Sequence, residues 1–233
     1  MLNQFSRLVM LIGEEKLNLL SKKKIIVFGL GGVGGNVCDA LIRSGITDIT
    51  IVDNDVISVT NINRQLIANT KTIGKLKTDV MEEHLKALNP EIKVTKINAF
   101  YLPENCDDFH LEKYDYVVDA IDTITSKIDI IKRCKMQHIP VISALGCGNK
   151  LDPTKLEVMD LSKTSYDPLA KVLRRELRKF NITHVKVVCS IESPMTPVAK
   201  SMENTKKNIP GSSAFVPPVA GIIIASEVIK DLL

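Results

Sequence analysis

Short apolar runs alternate with helix-spaced apolar positions along most of this chain. Lys24–Phe28 and Asp48–Val52 are compact β-branched runs, the pattern of parallel strands covered on both faces. Between them Val37, Ala40 and Leu41 predict a helix over residues 36–44, closed by Gly45 as a C′ residue. Residues 75–88 predict another, with Leu76, Val80, Met81, Leu85 and Leu88 on one face and Asn89-Pro90 as its stop. Residues 92–97 alternate as a strand with Val94 and Ile97 inward. A buried strand at 116–118 runs into Asp119-Ala120-Ile121-Asp122. The helix predicted over 123–138 carries Ile124, Ile128, Ile131 and Met136 broadly on one side, and 140–144 is the next strand.

After Gly146-Cys147-Gly148 the pattern changes. Residues 155–160 alternate as a strand with one exposed face. Asp167 then stands as an N-cap and Pro168 in the first turn of a helix striped by Leu169, Val172, Leu173, Leu177 and Phe180. Residues 185–189 form a strand. Residues 190–213 show no periodicity and hold Pro194, Pro197, Pro210, Lys200, Lys206 and Lys207. The last helix, 219–232, is a core-docking helix, because Glu227, Lys230 and Asp231 follow its apolar stretch. At the other end Leu8, Leu11, Ile12 and Leu17 mark an amphipathic segment interrupted near Gly13. The alternation predicts an α/β fold with a mostly parallel sheet and helices on both faces, the C-terminal part adding further strands and helices. One domain spans residues 1–233, divided into a nucleotide-binding part, 1–150, and an elaboration, 151–233.

The first strand leads directly into Gly29-Leu30-Gly31-Gly32-Val33-Gly34, and Asp53 ends the second strand nineteen residues past Gly34. Strand, glycine loop, helix, strand and acid form the Rossmann-like nucleotide fingerprint in its required context. The glycines let backbone approach phosphate, the helix N-terminus offers unpaired N–H groups, and Asp53 can accept from ribose hydroxyls. The residues beyond Asp53 bear on which nucleotide binds. Triphosphate chemistry needs fixed cations, which Arg64 and Lys77 can supply, with Asn61 as a neutral donor. A polar loop and a solvated helix would look the same by composition. Asp119 and Asp122 lie at a strand's C-terminal end, where one could hold Mg²⁺ and the other serve a cap or turn.

Composition adds little until it is mapped. The 233 residues are 45% apolar and 25% charged, with a net charge of +4, ordinary for a globular chain. Residues 163–186 hold seven basic and two acidic residues, a net +5, leaving −1 for the remainder. Lys171, Arg174, Arg175, Arg178 and Lys179 recur along one broad helix face. That is the footprint of a phosphate-backbone contact, or simply of a solvated basic helix. Five scattered cysteines without a Cys-x-x-Cys pair argue against a disulfide framework and a Cys₄ zinc site. Cys189 is read as a structural thiol. No signal-type apolar region opens the chain and no run reaches membrane-spanning length, so a cytoplasmic protein with no membrane partner is expected.

Gly29-x-Gly31-Gly32-x-Gly34, Asp53-x-Asp55, Asn61-x-x-Arg64-Gln65 and Gly74-x-x-Lys77 together resemble the ThiF/MoeB superfamily, relatives of ubiquitin-activating enzymes that adenylate carboxylates with ATP. The resemblance implies ATP held by Gly29, Gly31, Gly32, Gly34, Asp53, Asp55, Asn61, Arg64 and Lys77, with Arg64, Lys77, Asp122 and Arg7 as catalytic groups. It makes Asp122 the acid associated with Mg²⁺, and Arg7 a phosphate contact that often comes from the partner subunit of a homodimer. Leu151-Asp152-Pro153-Thr154-Lys155-Leu156, Asp160-Leu161-Ser162-Lys163-Thr164, Asp167-Pro168-Leu169-Ala170 and Phe215-Val216-Pro217-Pro218-Val219-Ala220-Gly221 narrow the likeness to the tRNA threonylcarbamoyladenosine dehydratase branch. That branch implies ATP-dependent cyclisation of the modified adenosine in tRNA, seated here by Lys171, Arg174, Arg175, Arg178 and Lys179. A cysteine desulfurase or sulfur-acceptor system is implied by family analogy. Residues 190–213 do not match closely, so no substrate contact is taken from them. Two alternatives stay open: a sulfur-carrier protein adenylyltransferase sharing the ATP site, and an NAD-dependent oxidoreductase, which leaves Arg64, Lys77 and Asp122 without a shared role.

Overall fold

The computed structural model describes residues 2–165, 167–199 and 210–233. Among these residues seven strands form one sheet: β1 (Lys24–Phe28), β2 (Asp48–Val52), β3 (Lys93–Ile97), β4 (Tyr116–Asp119), β5 (Val141–Ala144), β6 (Leu156–Asp160) and β7 (Lys186–Ser190). Their spatial order is β3-β2-β1-β4-β5-β7-β6, parallel except for β6, which runs against β7. The chain winds outward from β1 in both directions, so the strand order reverses between β1 and β4. A crevice opens there at the C-terminal ends of the strands.

Among the described residues seven α-helices accompany the sheet: α1 (Ser6–Ile12), α2 (Glu14–Leu20), α3 (Gly34–Arg43), α4 (Lys77–Leu88), α5 (Ile124–Met136), α6 (Pro168–Arg178) and α7 (Val216–Leu232). Successive β1 side chains show the two layers. Ile25 and Val27 pack with α3, α4 and α7, whereas Ile26 and Phe28 pack with Ile130 and Cys134 of α5. Leu173 and Leu177 of α6 join Ile131 and Val187 in a third cluster under the β7 end of the sheet. Gly13, at φ 82°, separates α1 from α2, and Gly45, at φ 95°, follows the C-cap of α3. Asp167 accepts from the Ala170 backbone N–H at 2.8 Å, so the predicted cap of α6 is formed.

Some side chains depart from the predicted pattern. β3 is an edge strand, so Val94 and Ile97 are only half-buried. The inner face of α5 is Ser126, Lys127, Asp129, Ile130, Ile131 and Cys134. Ile124 and Met136, at 39% and 70% exposure, lie outside it because the neighbouring polar groups find buried partners. Phe180 is 49% exposed rather than an anchor of α6, and Lys132 Nζ sits 5.2 Å over its ring. α4 begins at Lys77, two residues later than the apolar spacing implies, after a left-handed Gly74. Within 190–213, residues 200–209, including Lys200, Lys206 and Lys207, lie outside the described residues.

Candidate active site

The crevice between β1 and β4 holds a cleft of about 600 Å³, within the range of cofactor sites. Its floor is the glycine loop. Gly29 leaves β1 at φ 88°, and a Cβ there would meet the Ala120 carbonyl oxygen at 2.7 Å. A Cβ on Gly34 would lie 1.8 Å from the Gly29 carbonyl oxygen, so only glycine lets the first turn of α3 close onto the strand end. Gly31 and Gly32 line the cleft, Gly32 buried against Pro217 and Arg64.

Asp53 stands at the end of β2 and lines the same cleft. Its Oδ2 accepts from the Leu30 backbone N–H at 2.7 Å and its Oδ1 from that of Asp55 at 2.8 Å. The acid therefore braces the glycine loop as well as facing the nucleotide position. Lys77, the first residue of α4, is 5% exposed. Its Nζ is 2.7 Å from Asp55 Oδ2 and 3.7 Å from Asp53 Oδ2. Twenty-odd residues of intervening chain fold back through the Val56–Leu76 bridge to deliver it. A lysine held by two carboxylates is a cation kept ready for phosphate oxygens.

Arg64 lies against the loop, with its Cγ 3.3 Å from where a Gly32 Cβ would be. Its Nη1 donates to the Thr60 carbonyl and to Asn63 Oδ1, both at 2.9 Å. Nε and Nη2 have no partner among the described residues. Asn61 uses its Oδ1 to accept from the Ser58 backbone N–H at 3.1 Å, which leaves its NH₂ as the donor side facing the cleft. Gln65 closes the Asn61-x-x-Arg64-Gln65 motif, yet residue type and spacing assign it no role. It is 7% exposed, lines the cleft and has a buried Oε1 without a partner. An orphaned acceptor beside a glycine cradle and two cations fits a ligand with both donors and anionic oxygens, as a nucleoside triphosphate has.

The two acids after β4 divide. Asp119 is fully buried, paired to Lys127 Nζ at 2.7 Å, and accepts from the Ile121 backbone N–H at 3.3 Å. It is the turn residue. Asp122 is exposed on the cleft and enters no ion pair among the described residues. Arg7 is exposed on α1 and does not line the cleft of its own chain. Cys147 does line it, but burial pushes its thiol up to about 12, and burial likewise raises Cys189 to about 11. Neither thiol supplies an appreciable thiolate near neutrality.

The basic face on α6 is smaller than its spacing implies. Arg174 is half-buried, its Nη1 donating to the carbonyls of Thr164 at 2.8 Å and Leu161 at 3.4 Å, and to Thr164 Oγ1. Through Nη1 that guanidinium braces the turn before α6, so Arg174 is less open to a phosphate than its spacing implies. Lys171, Arg175, Arg178 and Lys179 remain exposed. Lys179 lies just past the helix, and Glu176 pairs with both Arg175 and Lys179, at 2.9 and 2.5 Å.

A family model described as the ThiF family matches residues 5–233. The chain belongs to the ThiF family. It is 44% identical over 243 residues to a tRNA threonylcarbamoyladenosine dehydratase of Bacillus subtilis, the match covering 100% of this chain and 96% of that one. The protein of the same name from Escherichia coli is 41% identical over 75% of this chain and 65% of its own. The crystal structure of the E. coli tRNA N6-threonylcarbamoyladenosine dehydratase TcdA in complex with ATP superposes with a TM-score of 0.90 at 34% identity, covering 98% of this chain and 93% of that one. The fold of this ThiF-family chain is therefore the α/β arrangement predicted from its strand and helix pattern.

Proposed function

We propose that this chain is an ATP-dependent tRNA threonylcarbamoyladenosine dehydratase that closes the modification into its cyclic form. The observation that carries the reading is the end-to-end likeness to the B. subtilis dehydratase, which extends through the C-terminal elaboration as well as the ATP cleft. The cleft's chemistry supports it. A carboxylate oxygen of the threonyl group attacks the α-phosphorus of ATP, and pyrophosphate leaves. The carbamoyl group of the same side chain then attacks the acyl carbon, losing a proton, and AMP departs with the former carboxylate oxygen. The net change is loss of one water from the nucleoside, with ATP becoming AMP and pyrophosphate. The nucleophile is already tethered to its electrophile, so no enzyme nucleophile is required. The raised thiols of Cys147 and Cys189 accord with that.

In this reading Arg64 and Lys77 stabilise charge on the phosphates, and Gly31 and Gly32 bring backbone N–H groups to them. Asp53 and Asp55 keep Lys77 directed at the cleft. No cluster of three or more ligating side chains occurs among the described residues. Mg²⁺ commonly binds through one or two carboxylates plus substrate phosphates, and the unpaired, exposed Asp122 fits that donor set. Bound there with ATP, Mg²⁺ would neutralise phosphate charge as pyrophosphate leaves. Lys171, Arg175, Arg178 and Lys179 seat the tRNA backbone. Arg7, which does not line its own cleft, serves the partner's site in a homodimer. No helix among the described residues is long and apolar enough to cross a membrane, and a cytoplasmic location suits a tRNA substrate. The chemistry moves no sulfur, so a sulfur-acceptor partner has no step to serve in it.

The test is mass spectrometry of nucleosides from tRNA carrying threonylcarbamoyladenosine, after incubation with the protein, ATP and Mg²⁺. Conversion to a species lighter by one water, dependent on ATP, is the expected result. Unchanged nucleosides with an active, ATP-binding preparation would remove the proposal.

A further inference from the structure

Arg64 does not stand alone at the cleft. Its Nη1 has both protons committed, one to the Thr60 carbonyl and one to Asn63 Oδ1, each at 2.9 Å. Asn63 turns its other amide group away and donates from Nδ2 to the Ser212 carbonyl at 2.9 Å. The amide cannot be reversed, because guanidinium only donates and a carbonyl only accepts. Ser212 lies 149 positions further along the chain, on another wall of the cleft. That wall is itself fastened. Asn149 accepts from the Gly211 backbone N–H through Oδ1 at 2.6 Å and donates its own N–H to the Gly211 carbonyl at 2.8 Å. Asn149 holds this position at φ 57°, a left-handed conformation that asparagine tolerates better than most residues. Ser213 Oγ adds a bond to the Lys150 carbonyl at 3.2 Å.

We propose that Asn63 is a positioning residue that ties Arg64 to the Gly211–Ser212 wall, so that the arginine is aimed only while Asn149 holds that wall in place. An arginine on an open cleft loses rotamer freedom when it meets phosphate, and a fork pinned beforehand avoids that cost. Asparagine suits the post because one short side chain must offer an acceptor to a cation and a donor to a carbonyl. Aspartate at Asn63 would keep the first bond and oppose the second. The inference rests on the reading of Arg64 as a phosphate contact.

The experiment is titration calorimetry of the full chain without tRNA, using ATP and adenosine as probes. Asn63→Ala is expected to weaken ATP binding about tenfold, the scale of one hydrogen bond to a charged group, and to leave adenosine binding unchanged. Asn149→Gly tolerates the left-handed backbone and removes only the side-chain acceptor, so it should weaken ATP binding by a smaller factor. The double variant should bind ATP no worse than Asn63→Ala alone, because both changes cut one chain of contacts. Melting temperatures close to the parent's in both single variants show that folding is not what changed. Factors that multiply in the double variant, or ATP binding by Asn63→Ala equal to the parent's, would overturn the relay. Arg64→Ala separates the layers. If it binds ATP as the parent does, the phosphate reading of Arg64 fails and takes the relay with it. If it binds weakly while Asn63→Ala does not, only the relay fails.

Discussion

Lys127 Nζ lies 2.7 Å from Asp119 Oδ2, and neither side chain is exposed to solvent. The lysine also donates to Ser143 Oγ at 3.1 Å and the Ala144 carbonyl at 3.0 Å, which uses all three of its protons. The network spans the ends of β4 and β5 and, through Asp119 and Ile121, shapes the turn that presents Asp122. A buried pair of this kind repays little of its desolvation as net stability, but breaking it leaves a charge in the core. Lys127→Met should therefore lose about 3–5 kcal/mol in urea unfolding, and adding Asp119→Asn should recover part of it. A loss under about 1 kcal/mol in the single variant would mean water reaches the pair.

Asp122→Asn keeps the shape of the side chain and removes its charge. The fold and Mg²⁺-free ATP binding should stay near the parent's, while Mg²⁺-dependent turnover falls by about tenfold or more. Steady-state rates across a Mg²⁺ titration decide the matter. Near-normal turnover would take Asp122 out of the reaction.

The exposed cations of α6 can be tested without disturbing Arg174. Replacing Lys171, Arg175 and Arg178 with glutamine should leave stability little changed and weaken tRNA binding. The slope of log K against log salt should become shallower by roughly 2–3 units for three lost phosphate contacts. Arg174→Gln should instead cost about 1–3 kcal/mol of stability, because the Thr164 carbonyl loses its donor. A salt slope unchanged in the triple variant would mark the stripe as a solvated face.

Mixed dimers test Arg7. Subunits carrying Arg7→Ala are combined with subunits carrying Lys77→Ala, each inactive alone. If Arg7 acts across the interface, one site in each mixed dimer combines an intact Lys77 with an intact Arg7, and activity should return. No recovery despite demonstrated exchange would place Arg7 within its own subunit or outside the reaction.

The thiol on the cleft gives a pH prediction. With Cys147 pushed up to about 12 by burial, Lys150 nearby only partly offsetting it, about one molecule in ten thousand carries the thiolate at pH 8. Alkylation by iodoacetamide should be slow there and rise about tenfold for each pH unit up to pH 10, as the thiolate fraction does. Fast, pH-independent labelling in peptide mapping would contradict the buried setting.

Local order was readable in the residues themselves. The run from Lys24 to Asp53, the cap at Asp167 and the stop at Asn89 depend on contacts within a turn or a strand, which spacing and residue type encode directly. Tertiary packing decided the rest. Lys77 was legible as a cation but not as one held by Asp53 and Asp55, and Arg174 shared the period of the exposed stripe until the Thr164 turn folded over it. Lys127, which pairs with Asp119 at the end of β4, sits on a helix whose apolar pattern pointed elsewhere. Asn63 and Ser212 meet across 149 positions. Periodicity reports which face a side chain takes, and only the packed sheet determines which distant carbonyl or carboxylate waits on that face.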